Sequence, residues 1–271
     1  MKVNFREAKS IITKSNIPSI DYVINPYTGC QHGCIYCYAE FMIRFTNHKG
    51  EKWGDFLDIK TFDFNKIKPQ KYTGKRLLLS SVTDPYLPLE KKYQNTRRIL
   101  EKLVDTEAEV SILTKSKLVT RDIDLFKKFR NIKVGISIST LNDDFAKKIE
   151  RGASKPSDRI LALKEIADAG IETYTFVSPY FPEITDFKAI IRKAQTFTDT
   201  FSFENLNFRP HNVSRIKAII ETNFPEYLAV YEELRKDRSY WNLVESEIRN
   251  YCENEGISFK IEFHHGGFSK S

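Results

Sequence analysis

The sequence predicts an α/β fold, namely a partial (β/α)6 TIM-type barrel followed by a C-terminal helical appendage. Six short runs of apolar or β-branched residues alternate with stretches of helical periodicity, and this alternation predicts right-handed βαβ units in a parallel sheet. Six units are too few for a closed eight-stranded barrel, so we expect one side to stay open. The 271 residues, of which 41% are hydrophobic, suit one large domain with a small appendage.

The predicted strands end at polar or turn-forming residues, and the segments between them place apolar residues at helical spacing. The strands cover residues 22–25, 77–82, 110–114, 134–139, 173–178 and 201–207. The helices cover residues 35–45, 95–104, 121–129, 143–149 together with 158–169, and 185–196. Gly170 follows one of these helices as a C-cap, and Pro156 or Ser157 marks the start of the same helix.

The pattern changes near Val213. Residues 225–254 are mostly helical by periodicity, and residues 257–263 alternate like a short strand. We interpret this part as an extension that packs on the barrel. The sequence therefore divides into a barrel over residues 1–212 and a helical extension over residues 213–271.

The net charge of +7 and the isoelectric point near 9.0 raise nucleic acid as a possible partner, because lysine and arginine neutralise phosphates. The lysines are, however, interspersed with acidic residues, and no run reaches five like charges. That distribution is typical of a solvated surface. Both interpretations stay open at this point.

No stretch is apolar for the roughly 18 residues that a membrane helix needs, so we expect no membrane partner. The N-terminus has no apolar core of a secretory signal. Clustered cysteines in such a chain indicate metal binding in a reducing compartment rather than disulfides. We therefore expect a cytoplasmic protein.

Three of the four cysteines, Cys30, Cys34 and Cys37, lie together in the run NPYTGCQHGCIYCY. Thiolates this close repel one another unless a metal neutralises them, and three soft ligands suit iron–sulfur or zinc. A structural site normally completes its coordination shell, whereas a site that lacks one protein ligand keeps a position for something reactive.

The CxxxCxxC spacing, with Tyr36 before the third cysteine and the flanks NPYTGC and CYCYA, resembles the cluster loop of the radical S-adenosylmethionine (SAM) superfamily, and within it the spore photoproduct lyase-like branch. The resemblance implies that the three cysteines hold three irons of a 4Fe-4S cluster and that SAM chelates the fourth. It also implies a reductant such as ferredoxin or flavodoxin, and a 5′-deoxyadenosyl radical that abstracts hydrogen from a substrate.

Polar side chains follow the predicted strands, and chemistry in α/β folds gathers at the carboxyl ends of strands. The stretches TDPY, ILTKS and GISIST, and the later ER and AGI segments, also match the same branch. The resemblance implies that these side chains contact SAM: Tyr36 by the adenine, Thr83 with Asp84 beside it, Lys115 at the carboxylate, Ser137 and Ser139 at the ribose, and Arg159 at a cofactor or substrate carboxylate. Arg151 is the other candidate for that carboxylate, and for either arginine a salt bridge on a helix surface remains the alternative.

One position departs from the repair enzyme of this branch. Ser81 stands three residues before Asp84, where that enzyme has a cysteine that returns hydrogen to the thymine. The O–H bond of serine is too strong for that role. Tyr36 and Tyr38 remain the catalytic candidates, and Cys252 could replace the donor only if its helix reached the open mouth.

Three functions follow from these patterns. The first is a radical SAM enzyme that acts on an unidentified substrate. The second is an enzyme of this type that repairs or modifies DNA or RNA. The third is a zinc-stabilised binding module without turnover, with His32, His264 or His265 as the fourth ligand.

Overall fold

The structure is a computed structural model that describes residues 1–234, 237 and 239–263. The strands in this part are β1 Lys2–Glu7, β2 Ile12–Lys14, β3 Tyr22–Ile24, β4 Tyr27–Thr28, β5 Phe56–Thr61, β6 Arg76–Leu79, β7 Glu109–Thr114, β8 Ile132–Ser137, β9 Glu172–Tyr180, β10 Thr200–Asn205 and β11 Phe259–Ile261. The α-helices are α1 Glu90–Tyr93, α2 Asn95–Leu103, α3 Ile123–Phe126, α4 Asp143–Ile149, α5 Pro156–Asp168, α6 Phe187–Ala194, α7 Val213–Asn223, α8 Leu228–Glu233 and α9 Ser239–Asn254.

Eight strands form one sheet in the order β11-β10-β9-β8-β7-β6-β3-β2. Every neighbouring pair from β3 to β11 is parallel, and β2 pairs antiparallel with β3. Within the described residues the two edge strands do not pair with each other, so the sheet is an open barrel. The predicted α/β fold with a partial barrel is confirmed, and the six predicted strands are present as β3 and β6 to β10, side by side in this sheet.

Each central strand carries a row of fully buried apolar side chains on one face, as a parallel sheet covered by helices requires. Val110 and Ile112 in β7 and Val134 and Ile136 in β8 have no exposed surface. Helix α5 packs against β8 and β9. The rigid centre of the sheet therefore fixes where each strand ends, and those ends carry the polar residues described below.

A second sheet, which the sequence did not predict, lies at the N-terminal side. It has the order β1-β5-β4, with β1 parallel and β4 antiparallel to β5. The pairing joins residues 54 apart, such as Lys2 and Phe56, so no local pattern reveals it. Strand β4 leads directly into the loop with the three cysteines.

Three predicted helices differ from the structure. The helix expected over 35–45 is only a 3-10 helix, Tyr38–Phe45, because hydrogen-bonded turns occupy the chain as far as Cys37. The helix expected over 121–129 is a 3-10 helix, Lys117–Asp122, followed by the short α3. The helix expected over 185–196 begins later, since the Asp186 carboxylate accepts from Ala189 N (2.8 Å) as the cap of α6.

The C-terminal part adds more than helices. Strand β11 pairs parallel with β10, Phe259 opposite Phe201, and extends the main sheet by one strand. Trp241 and Cys252 in α9 belong to the main hydrophobic core. The boundary at residue 212 stays a prediction. None of the helices in the described ranges is both long and apolar enough to cross a membrane.

Candidate active site

The loop that carries the three cysteines contains two turns, each closed by a backbone hydrogen bond. Gly33 N donates to Cys30 O (3.2 Å), and Cys37 N donates to Cys34 O (3.2 Å). Gly33 has a φ of +55°, and a Cβ atom there would lie 2.5 Å from Arg151 Nε. Both the left-handed backbone and the close approach favour glycine at this position.

All three cysteines are free thiols that line one cavity. Burial raises the pKa of Cys30, Cys34 and Cys37, and the carboxylates of Asp84 and Glu150 raise the pKa of the first two further. A thiolate is therefore unfavourable here unless positive charge compensates it. Metal ions supply that charge and bind the thiolate form. The donor set and its burial thus fit a metal cluster.

In the part of the chain that the structure describes, no three His, Cys, Asp or Glu side chains converge tightly enough to hold one metal ion. A multi-iron cluster does not require such convergence, because each thiolate binds a different iron. His264 and His265, two of the candidate zinc ligands, lie outside the described residues.

The cavity has an empty volume of about 1010 Å³, its open mouth included. The cysteines form one side, and the other walls come from the carboxyl ends of the strands β6 to β10 and the residues just after them. This is the place that the parallel sheet predicts for chemistry. The polar wall residues are Ser80, Ser81, Thr83, Asp84, Thr114, Lys115, Ser137, Ser178, Glu204, Asn205 and Asn207.

Asp84 organises the wall beside Cys30. Its carboxylate accepts from Thr114 Oγ1 (2.6 Å) and Lys115 N (2.9 Å), and it lies 3.3 Å from His32 Nδ1. Burial alone would raise the pKa of Asp84, but His32 and these hydrogen bonds lower it to about 2. Asp84 is therefore ionised, and it joins the ends of β6 and β7 to the cysteine loop.

His32 also lines the cavity, but its second ring nitrogen has no partner. Nδ1 faces Asp84, while Nε2 is buried without a hydrogen-bond partner among the residues of the described ranges. Buried polar atoms are normally satisfied, so this nitrogen is available to a bound group. Thr83 is the nearby hydroxyl, and it donates to Gly29 O (2.6 Å) in the cysteine loop.

Lys115 and Ser137 form a polar pair on the same wall. Lys115 Nζ donates to Ser137 Oγ (2.6 Å), and Ser137 Oγ donates to Ser178 O (2.9 Å). The ammonium is also 3.9 Å from Glu150 and 5.9 Å from the centre of the Tyr36 ring. It is a fixed cation at the cavity, which suits a carboxylate ligand.

Tyr36 is held at the cavity by a buried network. Its hydroxyl donates to Glu150, which forms an ion pair with Arg159, and its ring packs edge-on against Phe181 with centroids 5.6 Å apart. Burial raises the pKa of Tyr36, and the neighbouring negative charges raise it further. Its ring therefore keeps a fixed orientation beside the cysteines.

Tyr38 and Ser81 meet at the cavity mouth. The Tyr38 hydroxyl donates to the carbonyl of Ser81, and both residues line the cavity. Tyr38 is the more accessible of the two tyrosines, with 45% of its surface exposed. Cys252, by contrast, is fully buried in α9 within the core and does not line the cavity.

Two predicted cofactor residues lie behind the wall rather than on it. Arg159 is buried, and its guanidinium donates to Ser137 O (2.9 Å) and Ser154 O (2.8 Å) besides pairing with Glu150. Ser139 is also buried and does not line the cavity. The structure therefore brings together Tyr36, Tyr38, Thr83, Asp84, Lys115, Ser137 and the three cysteines, but not these two.

Residues near the start of α7 hold the cysteine loop from the other side. Their side chains approach carbonyl groups of residues 35–37. The contacts are His211 Nε2 to Cys37 O (3.2 Å), Asn212 Nδ2 to Tyr36 O (3.0 Å) and Arg215 Nε to Ile35 O (3.1 Å). No motif in the sequence singled out Asn212 or Arg215.

Sequence reasoning also gave no role to Glu150, Ser178 or Glu204. Ser178 and Glu204 lie near the ends of β9 and β10, so the strand-end rule that selected Lys115 would have selected them. Glu150 follows helix α4 and makes its contacts only through the fold. The ER segment includes Glu150, but no local signal shows which groups it contacts.

The comparisons with known proteins agree with this geometry. The family model described as the Radical SAM superfamily matches residues 24–194. An uncharacterized protein of Methanocaldococcus jannaschii is 39% identical over 254 residues, which are 94% of each chain. A protein of Pseudomonas phage M6 called Radical SAM Nalpha-GlyT isomerase is 28% identical over 163 residues, 59% of this chain and 33% of the phage protein.

Among solved structures, spore photoproduct lyase complexed with a dinucleoside spore photoproduct is similar with a TM-score of 0.66. The match covers 97% of this chain and 82% of the lyase, at 17% sequence identity. At that identity the similarity shows a shared fold.

Proposed function

Because the chain belongs to the radical SAM superfamily, we propose that Cys30, Cys34 and Cys37 hold a 4Fe-4S cluster at which SAM is reductively cleaved. Membership makes the protein an enzyme, and SAM and an iron–sulfur cluster are the cofactors that its family implies. When bound, these groups supply a 5′-deoxyadenosyl radical, which abstracts hydrogen from a substrate.

One observation carries this proposal: three buried thiols and a row of polar strand ends line the same cavity. Burial makes the thiolates dependent on a compensating metal. Three cysteines would leave one iron of the proposed cluster without a protein ligand and so open to a small molecule. The polar groups at the strand ends opposite can bind that molecule.

The wall residues have distinct tasks in the proposed cofactor site. Lys115, oriented by Ser137, pairs with the carboxylate of SAM as a charge-assisted contact. Tyr36 packs beside the adenine. The hydrogen bond from its hydroxyl to Glu150 holds the ring in the orientation that this contact needs. Asp84 acts through its neighbours: it holds the Lys115 backbone and the His32 ring in position at the cofactor site. Thr83 joins the wall to the cysteine loop.

The barrel also excludes water from the reaction. The cysteine loop and the strand-end wall border the proposed cluster position on two sides, side chains near α7 hold the loop in place, and a reactive radical needs a site with restricted access for water. Tyr38 at the mouth is the proposed redox-active residue nearest the substrate. The electron comes from a one-electron carrier such as ferredoxin or flavodoxin, which fits a cytoplasmic enzyme with free thiols.

A test of the proposal begins with anaerobic purification and reconstitution with iron and sulfide. We expect roughly four irons per chain and 5′-deoxyadenosine formation with dithionite. Cys34→Ala should lose both, whereas Cys252→Ala, which changes a buried thiol away from the cavity, should retain both. Bound zinc without SAM cleavage would contradict the proposal and favour the zinc-stabilised module.

A second candidate is modification of nucleic acid. The net charge of +7 favours it, as does the shared fold with a lyase that binds a dinucleoside photoproduct. Photoproduct repair itself is disfavoured, because Ser81 lies at the cavity where the repair enzyme needs a hydrogen-donating cysteine. The test is DNA and RNA binding between 50 and 200 mM salt. A steep loss of affinity, with a log–log slope of several units, supports it, and weak binding without a slope contradicts it.

A further inference from the structure

Trp53 presents a buried N–H group that no residue in the described part of the chain satisfies. The side chain is 6% exposed, and its Nε1 has no hydrogen-bond partner. A buried tryptophan normally finds a partner for this N–H. The unpaired donor therefore points to a group that is added after folding.

The indole lies in the small hydrophobic cluster around the cysteine loop. This cluster contains Cys30, Ala39, Trp53 and Phe56, with Cys37 packed against it. The Trp53 ring meets the Phe56 ring edge-on at 5.7 Å. Because packing fixes the ring from this side, its N–H cannot turn freely to another partner.

The backbone next to Trp53 also touches the cysteine loop. A Cβ atom on Gly54 would lie 2.7 Å from the Gly33 Cα and 3.5 Å from the Cys30 carbonyl oxygen. Gly54 has a φ of +95°. Only glycine allows this approach without displacement, and the approach keeps the indole beside the thiols.

Cys37 packs against the small hydrophobic cluster that contains the indole, and the Trp53 side chain is a hydrogen-bonding neighbour of the Cys37 thiol. The N–H does not meet strict hydrogen-bond geometry with this sulfur in the described structure. A thiolate bound to iron accepts a hydrogen bond better than a neutral thiol does, and it would give the Trp53 N–H the acceptor that it lacks.

We propose that the Trp53 N–H donates a hydrogen bond to the Cys37 thiolate or the adjoining sulfide of the cluster and raises the cluster's reduction potential. This inference rests on the cluster proposed above. A hydrogen bond to a cluster sulfur withdraws electron density and favours the reduced state, which carries more negative charge. Trp53 thereby tunes how readily the cluster accepts the electron that cleavage of SAM requires.

The test compares Trp53→Phe with Trp241→Phe in the reconstituted enzyme. Trp241 is the only other tryptophan and is buried against Tyr180, away from the cavity. In a redox titration followed by electron paramagnetic resonance, Trp53→Phe should lower the potential. At a fixed potential the reduced-to-oxidised ratio should fall up to about tenfold, equivalent to ~59 mV for one electron. Trp241→Phe should leave the potential unchanged.

A second measurement does not depend on potential. Electron–nuclear double resonance of the reduced cluster in H₂O and D₂O should show an exchangeable proton coupling that Trp53→Phe removes and Trp241→Phe keeps. Should Trp53→Phe fail to assemble the cluster, a tryptophan analogue with sulfur in place of the indole N–H retains the ring shape, and the same potential shift and loss of coupling are expected of it.

The outcomes separate the two proposals. A wild-type protein that shows no iron–sulfur signal overturns the proposed cluster, and the Trp53 inference with it. A wild-type cluster whose potential and proton couplings are unchanged by Trp53→Phe or by the analogue overturns the Trp53 inference alone.

Discussion

Glu150 is the residue on which the cavity wall depends most, although it does not line the cavity. It accepts from the Tyr36 hydroxyl, pairs with Arg159 and lies 3.9 Å from Lys115 Nζ. Both Glu150 and Arg159 are almost completely buried. A buried ion pair of this kind gives precise orientation, at a cost in desolvation that only full pairing offsets.

We expect Glu150→Gln to lower the free energy of unfolding by about 3–5 kcal/mol, because it leaves the Arg159 charge buried and unpaired. Anaerobic denaturant unfolding of the metal-free protein measures this. Glu165→Gln, an exposed position on α5, is the matched control and should change stability by less than about 0.5 kcal/mol. Equal effects of the two substitutions would show that the buried pair does not stabilise the fold.

The stability difference should also depend on pH. Burial alone would raise the pKa of Glu150, but Arg159 and Lys115 hold it below the ordinary 4.5. A carboxyl whose folded pKa is depressed stabilises the fold above its unfolded pKa, and this contribution disappears as the pH falls through the folded value. The difference between wild type and Glu150→Gln should therefore be full at neutral pH and shrink below pH 4.5. A difference that stayed constant into acid would contradict the assignment.

Lys115→Met should weaken SAM binding with little change in iron content. The lost charge-assisted hydrogen bond, worth about 1.5–3 kcal/mol, corresponds to a roughly tenfold to hundredfold lower affinity. Anaerobic calorimetry on the reconstituted protein measures it. Lys117→Met is the control, because Lys117 is exposed and pairs with Asp158. Unchanged affinity in Lys115→Met would remove Lys115 from the cofactor site.

At this scale the sequence predicted polar residues near the strand ends, and the structure brings Lys115 and Ser137 to the cavity but leaves Ser139 and Arg159 behind its wall. Ser137 is the last residue of β8 and faces the cavity. Ser139 lies two residues later and would share the face of Ser137 if the strand continued. The strand has ended by then, and Ser139 is buried in the interior, where its backbone carbonyl accepts a hydrogen bond from the Thr185 hydroxyl. Arg159 lies on α5, and only the packing of that helix shows that its guanidinium faces the core.

Among the elements, the start of α7 does the most to support the cysteine loop. Asn212 is fully buried and uses both ends of its amide. Its Nδ2 donates to Tyr36 O (3.0 Å) and Asn207 O (3.0 Å), and its Oδ1 accepts from Arg209 N (2.9 Å). Helix α7 is thus joined to the cysteine loop across more than 170 residues of sequence.

We expect Asn212→Ala to speed the loss of the cluster to a chelator and to lower the free energy of unfolding by about 1–3 kcal/mol, because buried backbone groups lose their partners. Iron release followed by absorbance measures the first effect. Asn223→Ala is the control at the other end of α7, where the amide contacts Ile219 O (2.7 Å) of its own helix. Equal rates of iron release in both variants would contradict the supporting role of Asn212.

Elements with a strong local period were predictable, and elements defined by distant pairing were not. The six barrel strands and helix α5 follow from periodicity and caps. Strand β1 gains its structure only from β5, and β5 from both β1 and β4. The same holds for the chain over 35–37, where carbonyls bind side chains near α7 instead of continuing a helix.

Over the whole molecule, one hydrophobic core runs through both predicted parts of the chain. Ile216 and Ile220 of α7 and Trp241, Ile248 and Cys252 of α9 belong to the same buried cluster as the barrel strands. Strand β11 also completes an edge of the sheet. The boundary at residue 212 separates sequence patterns, and it does not divide this core.

A shared core predicts cooperative unfolding, and the two tryptophans can report on it separately. Trp53 lies beside the cysteine loop and Trp241 in α9, so Trp241→Phe leaves a probe of the barrel and Trp53→Phe leaves a probe of the C-terminal part. We expect the two fluorescence transitions of the metal-free variants in urea to coincide with each other, since residues 213–263 cannot detach without exposing the barrel core to water. Far-ultraviolet circular dichroism of each variant is the control for any stability change caused by the substitution itself. Fluorescence of Trp241 that changed at a lower urea concentration than the circular dichroism of the same variant would show instead that the extension unfolds independently.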